Sequence, residues 1–151
     1  MRQDNCIFCQ VVENKIGSTK IWEDNEFLAI LDINPNTKGA TLLIPKDHYS
    51  AKLFEMPDED YRRLWLAAKK VNQLLERSLG VVKVGAVVEG MGVDHAHIKF
   101  YPLHGIQPDT GEAKERTFFE KYPGYISTQL GPEANAQELD KLAQEIRKYT
   151  N

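Results

Sequence analysis

Two histidines at alternate positions, His95 and His97, are the residues of this sequence best suited to chemistry. They lie in the segment DHAHIKFY, residues 94–101, whose strict alternation of polar and apolar residues predicts a β-strand. Side chains two apart on a strand point to the same face, so both imidazoles, followed by Lys99 and Tyr101, should border one site. The intervening residues are apolar and should form the buried face: Ala96, Ile98 and Phe100. A neutral imidazole can act there as a base, a nucleophile or a metal ligand.

The only two cysteines, Cys6 and Cys9, are the second group that could do chemistry. Residues 6–14 predict a short helix ended by Gly17, and positions three apart on a helix share a face. Two thiolates and two imidazoles would complete the tetrahedral shell of a zinc ion. Two other interpretations stay open, a pair of small buried side chains and a redox pair. No thioredoxin-like βαβ pattern surrounds the motif, which disfavours the redox pair.

A hairpin and a long helix must hold these residues in place. Residues 27–33 and 40–45 are short apolar runs that predict two strands, joined by a turn at residues 34–39 that contains proline and glycine. An amphipathic helix begins near Pro57 with acidic residues in its first turn, and Gly80 ends it. Its apolar residues recur at helical spacing: Leu64, Ala67, Ala68, Val71, Leu74 and Leu75.

The remaining segments complete an α+β arrangement. Residues 84–89 predict a buried strand, residues 105–118 a loop and residues 125–130 a short strand. A last amphipathic helix has one apolar face, formed by Leu139, Leu142, Ala143 and Ile146. Neighbouring strands joined by short turns, with one long helix between two groups, favour an antiparallel sheet covered by helices over a parallel α/β fold.

The composition is that of one ordinary globular domain, which we expect to span residues 1–151. Hydrophobic residues make up 42% of the chain and charged residues 27%, which is enough for a core without covalent links. A net charge of -3 offers no basic surface to a nucleic-acid backbone, so nucleic acid is not expected as a main partner. No apolar run has the length of a membrane span, and the N-terminus lacks the apolar core of a secretory signal. We therefore expect a cytoplasmic protein.

Taken in order along the chain, these motifs resemble the histidine triad (HIT) superfamily, and within it the zinc-binding bacterial-type branch. The family signature is His-φ-His-φ-His-φ-φ, with φ apolar, and residues 95–101 read HAHIKFY, with lysine at the third histidine position. Four other segments are similar to family motifs: residues 5–9 (NCIFC), 31–35 (LDINP), 43–48 (LIPKDH) and 88–90 (VEG). The similarity runs from about Cys6 to Leu103, which leaves a core at about 6–104 and a C-terminal extension at 105–151.

The resemblance implies a five-stranded antiparallel sheet with packed helices, normally in a homodimer. It also implies a zinc site, because the ligands of zinc-binding members are matched by four residues: Cys6, Cys9, His48 and His95. Two sulfurs and two nitrogens fill all four positions, so such a site is closed and structural. Zinc would tie the N-terminal segment to the central strand and contribute directly to folding.

The resemblance further assigns His97 as a nucleophile that attacks the α-phosphorus of a nucleoside phosphate derivative. The nucleotidyl-histidine so formed is then hydrolysed or passed to an acceptor, which makes the protein a nucleotide-phosphate hydrolase or a nucleotidyltransferase. Asp32 and Ile33 match the ribose-binding segment of the family. Lys99 is placed to pair with phosphate oxygens. Gly92 stands where the phosphoramidase branch has a serine that helps the leaving group.

Four positions depart from the family pattern: Lys99 and Ala40 replace histidines, Val88 replaces asparagine and Gly92 replaces serine. A charged lysine cannot accept a hydrogen bond, so the support of His97 must differ. Compensation is possible from four residues: Lys99, Asp94, Lys46 and His104. Two alternatives therefore stay open. One is a catalytically weak or inactive nucleotide-binding protein stabilised by zinc, and the other is a redox or zinc-release switch at CxxC that regulates a partner.

Overall fold

The computed structural model describes residues 3–106 and 132–150. Within them, five strands form one sheet: β1 (Lys20–Glu23), β2 (Phe27–Leu31), β3 (Thr41–Pro45), β4 (Val84–Val87) and β5 (Ile98–Pro102). Three α-helices accompany it: α1 (Ile7–Val12), α2 (Asp58–Leu79) and α3 (Ala136–Arg147). A single turn of 3-10 helix, Leu53–Glu55, precedes α2.

The sheet has the strand order β1-β2-β3-β5-β4, and each neighbouring pair is antiparallel. This confirms the predicted α+β fold with a five-stranded antiparallel sheet. The histidine-bearing segment leads into β5, which lies between β3 and β4, with Lys99 opposite Leu42 on one side and opposite Val87 on the other. The candidate site is therefore attached to an inner strand of the sheet, whose hydrogen bonds on both sides fix its register.

The two faces of the sheet are covered unequally. One face carries the larger core, where α2 and α3 pack on residues such as Leu43, Ile98 and Phe100. The other face carries a smaller cluster in which Val11 and Val12 of α1 meet alternate residues of two strands: Leu28, Ile30, Leu42 and Ile44. Both β2 and β3 are buried on both faces, which explains their continuous apolar runs.

Helix α2 begins and ends as its sequence predicts. Its first turn contains Asp58, Glu59 and Asp60, whose negative charges interact favourably with the positive end of the helix dipole and stabilise the start of the helix. Gly80 follows its last residue with φ of 62°, the left-handed conformation that glycine adopts without steric cost. The six residues predicted for its apolar face are its buried residues, each leucine among them contributing about 1.5–3 kcal/mol through burial.

The strand predicted at residues 84–89 differs from the structure in length and burial. It ends at Val87, and its residues are half-buried or exposed. Among the described residues, β4 is the last strand of the sheet and pairs only with β5, and its side chains are less completely covered than those of β2 or β3.

The histidine-bearing strand is also shorter than predicted at its start. Regular pairing begins at Ile98, because the N–H of Ala96 donates instead to the carbonyl of Tyr49, at 2.8 Å. The predicted alternation holds nevertheless. Ala96, Ile98 and Phe100 belong to the core on the α2 side, whereas the rings of His95 and His97 both meet Phe8 of α1.

The last helix joins the same core as α2. Asn135 caps α3 by accepting hydrogen bonds from the N–H groups of Gln137 and Glu138, at 2.9 and 3.3 Å. Three of its four predicted apolar residues are buried and the fourth, Leu142, is partly buried. Of the segment between β5 and α3, the strand predicted at 125–130 and all but the first two residues of the loop predicted at 105–118 lie outside the described residues. No described helix is long and apolar enough to cross a membrane.

Candidate metal centre and active site

Three separate elements bring two sulfurs and two imidazoles together. Cys6 is the N-terminal cap of α1 and Cys9 lies within that helix, while His48 follows β3 and His95 precedes β5. One donor atom from each of the four side chains lies within 4.8 Å of all the others. Residues far apart in sequence thus converge on one small volume, and the cluster predicted from the sequence is assembled in the structure.

The distances within the cluster fit a tetrahedral metal shell. Nδ1 of His95 lies 3.3 Å from Sγ of Cys6 and 3.7 Å from Sγ of Cys9, and Nδ1 of His48 lies 3.6 Å from Sγ of Cys9. Metal–sulfur bonds of about 2.3 Å and metal–nitrogen bonds of about 2.0 Å at tetrahedral angles separate sulfur from nitrogen by roughly 3.6 Å. The four donors are therefore close enough together to hold a metal ion.

The ring of His95 is oriented for coordination through Nδ1. Its Nε2 lies 2.9 Å from the carbonyl oxygen of Pro45. A carbonyl only accepts hydrogen bonds, so Nε2 carries the proton and Nδ1 keeps a lone pair that faces the two sulfurs. Burial lowers the pKa of His95 to about 4, despite the opposing effect of this hydrogen bond. The imidazole is therefore neutral at pH 7, which is the form that binds metals.

The two cysteines are both buried. Cys6 is 7% exposed and Cys9 is 1% exposed, and both are free thiols. Burial raises the pKa of the Cys9 thiol, since a thiolate loses its hydration there. A bound cation supplies the missing compensation for two buried thiolates. The chemistry of the donors thus agrees with their geometry.

His97 is linked to the cluster through the backbone of His95. Its Nδ1 lies 2.7 Å from the carbonyl oxygen of His95, so the Nδ1 proton is donated to that oxygen. The Nε2 atom is then left with its lone pair. The ring is 2% exposed, and its edge-on contact with Phe8 has a centroid separation of 5.6 Å. This arrangement fixes the tautomer that a nucleophilic imidazole requires.

The surroundings of His97 favour its neutral form. Burial lowers its pKa, and the positive charge of Lys99 lowers it further, whereas its hydrogen bond to His95 and the negative charges of Glu89 and Asp32 oppose the shift. The charges of Asp32, Glu89 and Lys99 are thus among the causes that set the pKa of the His97 imidazole.

Lys99 forms an ion pair that the sequence analysis did not predict. Its Nζ contacts Oε1 of Glu89, and the two side chains are 15% and 4% exposed. Burial alone would lower the pKa of Lys99, but the hydrogen bond and charge of Glu89 outweigh it, so the pKa is raised. The signal for Glu89 was a single acidic residue at the end of an otherwise apolar strand, VGAVVEG, next to the strand that carries Lys99.

The other predicted substrate ligands lie in the turn after β2 and in the segment between β4 and β5. Oδ1 of Asp32 accepts a hydrogen bond from the N–H of Asn34 at 2.8 Å, which shapes the turn after β2. Ile33, beside it, is 62% exposed. Gly92 is also exposed, and its φ of 85° is a conformation in which a serine would be strained.

Three residues considered as compensating groups are engaged elsewhere. Oδ1 of Asp94 accepts from the N–H of Ala51 at 2.8 Å. Lys46 pairs with Glu23 at 2.7 Å. The exposed ring of His104 lies 2.9 Å from the carbonyl oxygen of Lys38, with its Nε2 as donor. Of the four groups considered, Lys99 is the one whose charge acts on His97.

A protein-family comparison identifies this combination of fold and motif. The family model described as the HIT domain matches residues 13–104. The chain belongs to the HIT domain family. The matched segment of the HIT domain contains the sheet, α2, His48 and both histidines of the divergent triad, but begins after the two cysteines.

Individual relatives agree with this family. A HIT-like protein from Methanocaldococcus jannaschii is 36% identical over 103 residues, which cover 66% of this chain and 79% of that protein. The adenosine 5'-monophosphoramidase of Schizosaccharomyces pombe is 35% identical over 99 residues, covering 65% of this chain and 74% of that protein. A zinc-bound histidine triad family protein from Mycobacterium smegmatis has the same fold, with a TM-score of 0.69 at 21% identity over 97% of this chain and 93% of that one. The HIT family thus includes hydrolases of nucleotide derivatives.

Proposed function

We propose that this HIT domain protein is a nucleotide-phosphate hydrolase or nucleotidyltransferase that works through a nucleotidyl-histidine intermediate on His97. The observation that carries the proposal is the hydrogen bond from Nδ1 of His97 to the carbonyl of His95, at 2.7 Å. Because that bond holds the ring proton on Nδ1, Nε2 has a free lone pair for attack on phosphorus. The phosphoramidase activity in the name of the fission-yeast relative supports this class of substrate.

The proposed reaction has two displacements at one phosphorus atom. In the first, the lone pair of Nε2 forms a bond to the α-phosphorus, the bond to the leaving group breaks, and its electron pair departs with that group. The positive charge gained by the imidazole is stabilised by the hydrogen bond from Nδ1 to the His95 carbonyl. In the second, water or another acceptor attacks phosphorus, the P–N bond breaks and its electrons return to Nε2, while the proton of the acceptor passes to solvent.

The surrounding residues receive matching roles in this proposal. Asp32 has a second carboxylate oxygen with which to accept hydrogen bonds from ribose hydroxyls, and Ile33 supplies an apolar surface next to it. The ammonium of Lys99 faces phosphate oxygens. Gly92, which has no side chain, lets the leaving group approach the backbone closely.

We further propose that the metal held by the cluster of Cys6, Cys9, His48 and His95 is zinc. Zinc accepts two thiolates and two imidazoles in a tetrahedral shell, and four protein ligands leave no open position for substrate. Its role here would be structural, since it would join α1 to the segment before β5 and fix the backbone carbonyl that receives the proton of His97. A HIT relative of the same fold is zinc-bound.

A homodimer formed along β4 would complete the proposed assembly. In the part of the chain that the structure describes, β4 is an edge strand whose residues are half-buried or exposed. Beside it, a groove of about 340 Å³ runs between α2 and the sheet, lined by Trp65 and Phe100 among others. A second copy can extend the sheet by pairing with this edge.

Sedimentation equilibrium tests the proposed dimer and should give twice the chain mass. Replacement of Ala86 by proline, which blocks pairing at the edge, should give the monomer mass. A monomeric parent would contradict the dimer.

Trapping of the intermediate tests the proposed function directly. We expect protein incubated with the 4-nitrophenyl ester of adenosine 5'-phosphate, radiolabelled at phosphorus, to keep up to one label per chain after quenching in alkaline denaturant. His97→Ala should keep none. The matched control His104→Ala removes an exposed histidine that pairs only with a backbone carbonyl among the contacts described, and it should label like the parent. Equal labelling of His97→Ala and the parent would contradict the proposal.

The main alternative is a zinc-stabilised nucleotide-binding protein with little or no turnover. The ion pair of Lys99 with Glu89 favours this alternative. The position of the third histidine of the triad is occupied by a lysine whose positive charge is already compensated by the carboxylate of Glu89. This alternative predicts saturable binding of adenosine 5'-phosphate together with no label and no product. The trapping experiment therefore separates the two functions.

A further inference from the structure

The ion pair of Glu89 and Lys99 lies beside His97 in the part of the site where the family has its third histidine. β4 ends at Val87, which pairs with Lys99, and Glu89 follows two residues later. The carboxylate therefore lies just past the end of the strand ladder, in contact with Nζ of Lys99. With 4% and 15% exposure, both side chains are largely removed from water, where a broken pair would be costly.

This pair keeps the proton of Lys99 on its nitrogen. Contact with a buried carboxylate stabilises the ammonium form, and the pKa of Lys99 is raised even though burial opposes it. An ammonium held in this way stabilises negative charge nearby but is a poor proton donor at neutral pH. A histidine at the same position would instead exchange protons near neutral pH.

We propose that the Glu89–Lys99 pair makes this site selective for nucleotide derivatives whose leaving group departs as a stable anion, such as aryl esters and anhydrides, over phosphoramidates whose leaving group is an amine. The proposal rests on the function of His97 proposed above. It assigns Lys99 as a specificity-determining residue and Glu89 as the residue that positions it.

The chemistry of the first displacement gives the reason. When the bond from phosphorus to an aryloxide or acid oxygen breaks, the electron pair leaves on an oxygen that needs no proton, so this step does not depend on a proton from Lys99. When the bond is to an amine nitrogen, the electron pair can leave only if a proton is delivered to that nitrogen. Lys99 keeps its proton because its ammonium is paired with Glu89, and Gly92 has no side chain that could donate a proton to the leaving nitrogen.

Two substrates that share the adenosine 5'-phosphoryl group test the proposal. One is the 4-nitrophenyl ester, and the other is the phosphoramidate of a simple amine. We expect the parent to have a kcat/KM for the ester at least 100-fold above that for the amide, and Lys99→His to lower this ratio by roughly 100-fold or more, the usual contribution of a general acid. The ratio is independent of the fraction of folded enzyme, so partial loss of stability does not affect it.

Two control variants separate this role from a structural one. Lys99→Arg keeps the cation and should keep the parent ratio. Lys148→His changes an exposed lysine at the end of α3, paired with Glu145, and should leave the ratio unchanged. Equal kcat/KM for the two substrates in the parent would overturn the proposal. An unchanged ratio in an active Lys99→His would overturn it as well. Either result leaves the proposed function of His97 intact. Turnover of neither substrate by the parent would overturn the function and this inference together.

Discussion

We expect replacement of His97 by alanine to lower kcat/KM for hydrolysis of adenosine 5'-phosphate derivatives by roughly 10⁴-fold or more, because the proposed covalent nucleophile is removed. The physical reason is the loss of Nε2, the atom whose lone pair is set free by the hydrogen bond to His95. Product formation from the 4-nitrophenyl ester, followed at pH 7 with substrate well below KM, measures the effect.

A second variant separates chemistry from folding. His97 is 2% exposed, so alanine leaves a cavity and an unpaired carbonyl on His95, at a cost of about 1–3 kcal/mol. His97→Asn keeps an N–H donor near the position of Nδ1 while it removes Nε2, and we expect it to be as inactive as alanine but closer to the parent in Tm. Retention of a tenth of the parent activity by a folded His97→Asn would rule out the nucleophilic role.

If the cluster binds zinc as proposed, removal of the metal should destabilise the protein by about 4 kcal/mol when free zinc exceeds its dissociation constant 1,000-fold. For a chain of this size that free energy corresponds to a fall in Tm of about 8–16 °C. The candidate ligands come from α1, from His48 after β3 and from His95 before β5, so an empty site would remove the link between α1 and these two segments. Differential scanning calorimetry with and without a strong chelator measures the change in Tm, and elemental analysis measures the zinc content.

The Cys9→Ser variant gives the same result by another route. It should purify with less than stoichiometric zinc and melt close to the chelated parent, and chelator should no longer change its Tm. His104→Ala, in which an exposed histidine outside the cluster is removed, should keep one zinc per chain. A full zinc content in Cys9→Ser, or a Tm of the parent that chelator does not change, would contradict the ligand assignment.

The elements that the sequence predicted are those whose burial leaves a clear periodicity. β2 and β3 are covered on both faces and read as apolar runs, and α2 has a single apolar stripe between an acidic start and Gly80. β1 was missed, because it has only four residues, one fully buried at Ile21, and its pairing with β2 is irregular between Lys20 and Trp22. A strand so short and irregular has too little alternation to be recognised.

The sequence predicted some residues of the candidate site and not others. The four candidate metal ligands and His97 are predicted because their residue types and spacing match a family pattern, and the structure brings the four candidate ligands together. Glu89 was not named as a site residue. Its importance depends on the register that sets Val87 opposite Lys99, and register is a property of the folded sheet. A sequence pattern indicates which charges exist, whereas pairing across strands decides which of them meet.

The position of α3 has a consequence for shortened forms of this protein. α3 contacts both α2 and β1, and its residues Leu139, Ala143 and Ile146 lie in the main core although the HIT match ends at residue 104. A fragment trimmed to the matched segment would uncover the surfaces of Ile21 and α2 on which this helix rests, creating an apolar patch prone to self-association. The end of the HIT domain match is therefore not the end of the core, and we expect ligand-binding work on a domain trimmed at residue 104 to be complicated by aggregation.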